Sequence, residues 1–377
     1  MKVNAAVLVA SGVERPYADS RPLHVQELEL DPPGRGEILV RIGAAGLCHS
    51  DLSVINGSRP RPLPMVLGHE AAGEVVEVGP ADDIRAAEFE VGDHVVLAFV
   101  PACGACRMCL AGRPALCEPG AVANRAGTLL SGEKRWRGGE NHHLGVSAFA
   151  EYAVVSSKSA VKVDPSLPLE LAALFGCAVL TGAGAAFHSA EIKPGETVAV
   201  FGLGGVGMAA MLAARAAGAS QIVAVDIVDT KLALAARLGA NHTVRGGPDA
   251  VTEVRDLTHG GADKVIDTTG SEHVLAQAYH ATRIGGTTVT VGLPHPDRQL
   301  VLPALSLVAE ERTLRGSYLG SSVPRRDIPR FIRLYQAGLL PVAELVSGRL
   351  RLDQVNEGFD QLAGGEAVRQ VIVPTGS

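Results

Sequence analysis

Across 377 residues the chain is 47% hydrophobic and 20% charged, carries 44 glycines and has a formal net charge of −6. That length divides into about two domains, and the composition excludes a disordered or fibrous chain. With an acidic balance and no Lys/Arg run there is no footprint for a polyphosphate backbone, which excludes nucleic acid as a partner.

The opening MKVNAAVLVASGVERPY lacks the charged-then-apolar layout of a signal peptide, with Glu14 and Arg15 interrupting it early, and reads as a strand of a cytoplasmic protein. Further along, EILVRI, GEVVEVG and DHVVLAF predict a β-rich first half. GLCHSD places Cys48 between these strands, GHEAAGEVVEVG places His69 and Glu70, and GCAVLTG later places Cys177. A catalytic zinc takes three protein ligands of mixed Cys/His type plus one exchangeable position, a set that Cys48, His69 and Cys177 would supply. On spacing alone, the three read equally well as scattered core residues.

Between Cys103 and Cys117, CGACRMCLAGRPALC spaces Cys103, Cys106, Cys109 and Cys117 as C-x2-C-x2-C-x7-C. Without an export signal the thiols stay reduced, so the cluster favours a metal over disulfides. The bacterial iron–sulfur run starts the same way but continues x3-C-P, which this one does not, leaving zinc as the better match. Four thiolates fill every position on such an ion, so this lobe is structural and the chemistry belongs elsewhere.

Two uncharged runs, 171–187 and 197–214, approach membrane-span length, but glycines break both and both carry motifs, so no membrane placement is expected. The second contains TVAVFGLGGVG, in which an apolar strand meets Gly202-x-Gly204-x-x-Gly207, with Gly205 and Val206 inside the turn and an alanine-rich helix after it. Asp226 closes the next apolar run 19 residues past Gly207, which completes the context of a dinucleotide site. Its carboxylate would accept the ribose hydroxyls and repel a 2′-phosphate, favouring NAD over NADP. Alternation then continues with a helix from Asp229 to Leu238, a strand near His242, a helix near Ala250, a strand from Lys264 to Thr268, a helix near Glu272 and a strand from Thr287 to Val291. This pattern predicts a doubly wound parallel sheet.

GHEAAGEVVEVG matches the signature G-H-E-x2-G-x5-G, and CGACRMC with its fourth cysteine matches the structural-zinc lobe, of the zinc-dependent medium-chain dehydrogenases. The chain resembles that family, in particular its liver-type, class III-like alcohol dehydrogenase branch, from VLVASG near the start to NEGFDQLAGGEAVR near the end. The resemblance implies an α/β protein with a GroES-like β-rich catalytic domain over 1–179, to which 319–377 return, and a Rossmann NAD-binding domain over 180–318. It also implies two zinc ions per chain. Cys48, His69 and Cys177 would hold the catalytic one, with Asp51 orienting the imidazole and Glu70 as a transient ligand, and the four-cysteine lobe would hold the other.

By the same resemblance, Ser50 would receive the substrate's hydroxyl proton. Lys231 would touch the adenosine ribose, Val291 and Ser317 would hold the carboxamide through backbone groups, Thr181 would pack on the nicotinamide ring, and His49 and Arg369 would flank the pyrophosphate. Phe99 and Phe149 would line a pocket for primary, aromatic or moderately bulky alcohols and their carbonyls. One departure is Ser53, which stands where many relatives end the proton relay in a histidine. His142 and His143 read as loop residues in a long segment resembling the dimeric branch, which implies a homodimer, with a tetramer as the other possibility. A thiol-dependent formaldehyde dehydrogenase is the nearest rival, and Ala121, where glutathione-using members carry arginine, argues against glutathione. The rival from another class is a catalytically dead NAD-binding zinc protein, against which the intact Cys48, His69, Cys177 and Ser50 speak.

Overall fold

The computed structural model describes residues 1–81, 88–365 and 367–374. The chain separates into two compact units, one of Met1–Cys177, Val323–Pro329 and Val346–Ser377, the other of Ala178–Ser322 and Arg330–Leu345.

The first unit is built on β-sheets. Glu37–Gly46 is its central strand, pairing antiparallel with Glu70–Val78, with Tyr152–Ser156 and with the returning strand Arg369–Ile372. The alternation visible in EILVRI turns Ile38, Val40 and Ile42 into one core that also takes in Leu67, Phe149 and Phe359. A smaller sheet runs in the order Leu23–Glu29, Lys2–Leu8, Met65–Val66, Asn141–His142. The C-terminal helix Val355–Gly364 is fastened by the fully buried Phe359, a burial worth about 1.5–3 kcal/mol, and by Asn356, which accepts the Leu23 N–H at 3.2 Å and donates to the Leu23 carbonyl at 2.9 Å.

A six-stranded sheet organises the second unit, in the order His242–Arg245, Gln221–Asp226, Thr197–Phe201, Ala262–Asp267, Thr282–Thr290, Thr313–Gly316, with every pair parallel. Strands covered on both faces read as continuous apolar runs, and Val198, Ala199, Val200 and Phe201 are buried accordingly. The helix Gly205–Ala216 lies close over the first strand because residue 207 has no side chain: a Cβ there would stand 1.8 Å from the Gly202 carbonyl oxygen.

One expectation changes. The return of 319–377 is interrupted, because the end of the helix Pro324–Gln336 packs with the second unit through Phe331, fully buried and stacked on Phe187 at 5.8 Å between centroids. Glu366 and 375–377 of that return lie outside the described residues. The apolar run 197–214 divides into the strand Thr197–Phe201 and the helix Gly205–Ala216, and no single described helix is long and apolar enough to cross a membrane.

Candidate metal and coenzyme sites

Three separate elements deliver one ligand cluster in the first unit. Cys48 ends the central strand and starts the helix His49–Ile55. His69 sits on the turn before Glu70–Val78, after Gly68, whose φ of +90° and a would-be Cβ 2.5 Å from the Phe149 nitrogen admit only glycine. Cys177 stands between the short helices Leu174–Gly176 and Ala178–Gly184. The ligand atoms of Cys48, His69 and Cys177 lie within 4.8 Å of one another, and all three residues are buried.

Inside this cluster the sulfurs divide their protons unequally. The hydrogen bond from Cys177 holds the Cys48 thiol well below the ordinary thiol range, against the effect of burial and with help from His69, while Cys177 is pushed up by the same bond. Burial lowers the proton affinity of His69, but the Asp51 carboxylate and Cys48 outweigh it and raise it. Asp51, fully buried, stands 3.0 Å from His69 Nδ1 with one oxygen and accepts the Gly68 N–H at 3.0 Å with the other. Nδ1 faces that carboxylate, which leaves Nε2 as the nitrogen open to an ion; among the described residues neither nitrogen has a hydrogen-bond partner of good geometry. Two soft thiols and an orphaned imidazole nitrogen converging in this way fit a zinc ion with one position left for exchange.

The residues around the cluster sort themselves. Phe99 meets the His69 ring edge-on at 5.4 Å. Arg369 donates from Nη1 to the Leu47 carbonyl at 2.7 Å and sets Nη2 3.3 Å from Glu70 Oε2, so its buried guanidinium neutralises Glu70 and faces both sulfurs. Ser50 is half-buried next to Cys48, and His49 is exposed. Ser53 donates its hydroxyl back to the His49 carbonyl at 2.7 Å, which commits that proton locally.

Two sequence expectations are corrected. Phe149 is no pocket wall: it has no accessible surface and packs against Phe359 at 5.9 Å in the core, because its segment pairs with Leu67 and Gly68. Of His142 and His143, both expected in a loop, only His143 lies in one, and it is buried. His142 lies on the buried strand Asn141–His142, and His143, also buried, brings Nε2 to 3.3 Å from Asp51. Nothing local in the sequence signals the strand Asn141–His142, which depends on pairing with residues 65–66.

In the lobe, Cys103, Cys106, Cys109 and Cys117 place their sulfurs within 4.8 Å of one another, with Cys103–Cys109 and Cys106–Cys117 each at 4.0 Å. Tetrahedral Zn–S bonds of about 2.3 Å require sulfurs about 3.8 Å apart, so the cage fits. Backbone N–H groups of Cys103 and Gly120 donate to the Cys117 sulfur, and those of Ala105 and Cys106 to the Cys103 sulfur, at 3.3–3.4 Å, as suits charged thiolates. Protons are again shared unevenly, with Cys106 drawn down to about 6 by backbone N–H groups and Cys109 pushed up to about 12, chiefly by burial.

The second unit holds the glycine turn. Gly202 has φ +87°, Gly204 caps the helix Gly205–Ala216 without a side-chain bond, and Val206 follows in its first turn, leaving N–H groups for an anion. Asp226 pins the turn, accepting the Leu203 N–H at 2.6 Å and the Val228 N–H at 2.9 Å. Lys231 and Thr181 are buried on the helices Asp229–Arg237 and Ala178–Gly184. The N–H groups of Val291 and Ser317 are bonded to Asp267 and Thr290 at 2.9 Å, so only their carbonyls are candidates for holding a carboxamide.

Comparison with known proteins agrees with both halves. The family model described as alcohol dehydrogenase GroES-like domain matches residues 34–165, and the one described as zinc-binding dehydrogenase matches 205–337. An NDMA-dependent alcohol dehydrogenase of Amycolatopsis methanolica is 40% identical, covering 99% of each chain. A geraniol dehydrogenase of Castellaniella defragrans is 39% identical over 93% of this chain and 94% of its own. The crystal structure of benzyl alcohol dehydrogenase from Acinetobacter calcoaceticus superposes with a TM-score of 0.92 at 34% identity, covering 100% of both chains.

Proposed function

Because the chain belongs to the zinc-dependent medium-chain alcohol dehydrogenase family, we propose that it interconverts primary aromatic or allylic alcohols and their aldehydes, using NAD and one catalytic zinc. The observation that carries this reading is the buried set Cys48, His69 and Cys177 with an unpartnered imidazole nitrogen. When bound, zinc acts as a Lewis acid that eases loss of the substrate's hydroxyl proton, and NAD accepts the hydride.

This chain's own residues do the rest. Asp51 fixes the His69 tautomer, Arg369 keeps Glu70 neutralised, Ser50 takes up the hydroxyl proton, and Phe99 offers an apolar wall next to His69. Glu70 is positioned to exchange with a ligand, and Arg369 to meet a pyrophosphate once released from it. Asp226 and Lys231 recognise the adenosine ribose, the turn from Gly202 to Gly207 admits the pyrophosphate, and Thr181 with the carbonyls of Val291 and Ser317 receives the nicotinamide. The lobe cysteines hold the second zinc.

Six unpaired cysteines suit a reducing, cytoplasmic setting. A homodimer completes the reading, supported by a strand edge and an apolar helix left uncovered in the second unit: Thr313–Gly316 ends the sheet, the helix Ala304–Ala309 buries no residue, and Val301, Leu305 and Val308 are 76–80% exposed.

The test follows NADH absorbance with benzyl alcohol, geraniol and short aliphatic alcohols, with NAD or NADP, with and without glutathione, and with NDMA as an added acceptor because one relative is named for it. The reading expects NAD-linked turnover favouring benzyl alcohol or geraniol without thiol. Turnover confined to formaldehyde plus thiol, or none across the panel with intact metal, would overturn it.

A further inference from the structure

Asp51 is a fully buried carboxylate, and one donor facing it comes from far along the chain. His69 Nδ1 meets one of its oxygens at 3.0 Å; the Gly68 N–H, at 3.0 Å, and His143 Nε2, at 3.3 Å, meet the other. The Gly68 N–H already anchors one oxygen, and a second donor on that oxygen restrains the terminal torsion of the carboxylate further while His69 holds the other. His143 is itself 1% exposed, edge-on to His69 at 5.6 Å. An imidazole donates through a ring N–H, and the His143 nitrogen that faces the Asp51 carboxylate is Nε2.

The backbone delivering His143 is built at some expense. Leu144 and Ser147 take left-handed φ values of +51° and +55°, which non-glycine residues rarely adopt, with Gly145 at +68° between them. The loop closes on itself through Val146 N–H to the His143 carbonyl at 3.0 Å, and Ser147 Oγ accepts the His143 N–H at 2.9 Å while donating to the Val66 carbonyl at 2.8 Å. Strain of this kind persists only where the surroundings over-determine it, and it concentrates at functional sites.

We propose that His143 is a positioning residue of the catalytic metal site. Its Nε2–H fixes the Asp51 carboxylate so that the other oxygen holds His69 in the tautomer and orientation that present Nε2 to the ion. The inference rests on the reading that Cys48, His69 and Cys177 bind zinc.

The experiment measures zinc content of the purified chain and its release to a chromogenic chelator, together with the visible spectrum of the cobalt-substituted protein. It uses the wild type, His143→Leu, His143→Asn and His143→Gln. Glutamine places an N–H donor near the position of Nε2, while leucine has none and asparagine is too short to reach. Wild type should release zinc in two phases, one per site. In His143→Leu the catalytic phase should accelerate about 10–100-fold and the cobalt bands should shift, whereas His143→Gln restores both and the lobe phase stays constant in all four. If His143→Leu fails to fold, His143→Asn must show the same fast release.

Unchanged release in a folded His143→Leu or His143→Asn would overturn the proposal, as would equal acceleration in His143→Gln, which would mean that shape rather than the hydrogen bond matters. A wild type holding one zinc, all of it in the lobe, would instead sink the parent reading.

Discussion

His142 shows how burial and a single acceptor fix a protonation state. Its Nε2 accepts the Arg135 backbone N–H at 3.1 Å, so the neutral ring carries its proton on Nδ1. Burial, then the charges of Arg135 and Lys134, depress its pKa to about 3. An unfolded histidine titrates near 6.5, so below that pH the unfolded chain binds a proton that the folded chain refuses. Stability from this group is therefore complete above about pH 6.5 and is lost as pH falls toward 3, at roughly 1.4 kcal/mol per pH unit. His142→Gln, which keeps an acceptor but cannot charge, should flatten the fall in urea midpoint between pH 6.5 and 4.5 relative to wild type. Parallel curves for the two proteins would contradict this.

Single residues also mark where sequence reasoning stopped. The proposed metal ligands stand out because each lies in a short motif, whereas His143 and the Arg369–Glu70 pair depend on chain segments brought together only by folding. Phe149 was misplaced for the same reason, since a phenylalanine looks alike in sequence whether it faces a pocket or Phe359.

Among elements, the parallel sheet was the most legible. Strands buried on both faces write themselves as apolar runs, and the glycine turn punctuates the first of them. The two-residue strands Met65–Val66 and Asn141–His142 left no such trace, being too short for periodicity and paired across a long separation. The glycine turn carries its own prediction. Gly207→Ala would press a methyl into the Gly202 carbonyl, a steric conflict costing about 1–3 kcal/mol. The variant should melt earlier and lose the fluorescence signature of bound NADH while retaining both zinc ions. Undiminished NADH binding would show that the turn does not contact the coenzyme.

At the scale of the whole molecule, the two units were visible in outline, but the interruption at 330–345 was not, because Phe331 chooses its partner by packing on Phe187 rather than by chain order. In the proposed homodimer, the exposed apolar helix Ala304–Ala309 and the bare edge at Thr313–Gly316 of the second unit would form the contact. Leu305→Glu with Val308→Glu should convert a dimer to a monomer by light scattering, with zinc content intact. A dimer that survives the pair would put the contact elsewhere.

Zinc analysis of the purified wild type beside Cys177→Ser, with benzyl alcohol oxidation measured on the same samples, reaches the central claim most directly. Two equivalents per chain in the wild type are expected, falling to one in the variant, with turnover lost and the four-cysteine lobe still filled. A wild type with one equivalent, or a variant that keeps both and still turns over, would contradict the assignment of Cys48, His69 and Cys177 to a catalytic ion.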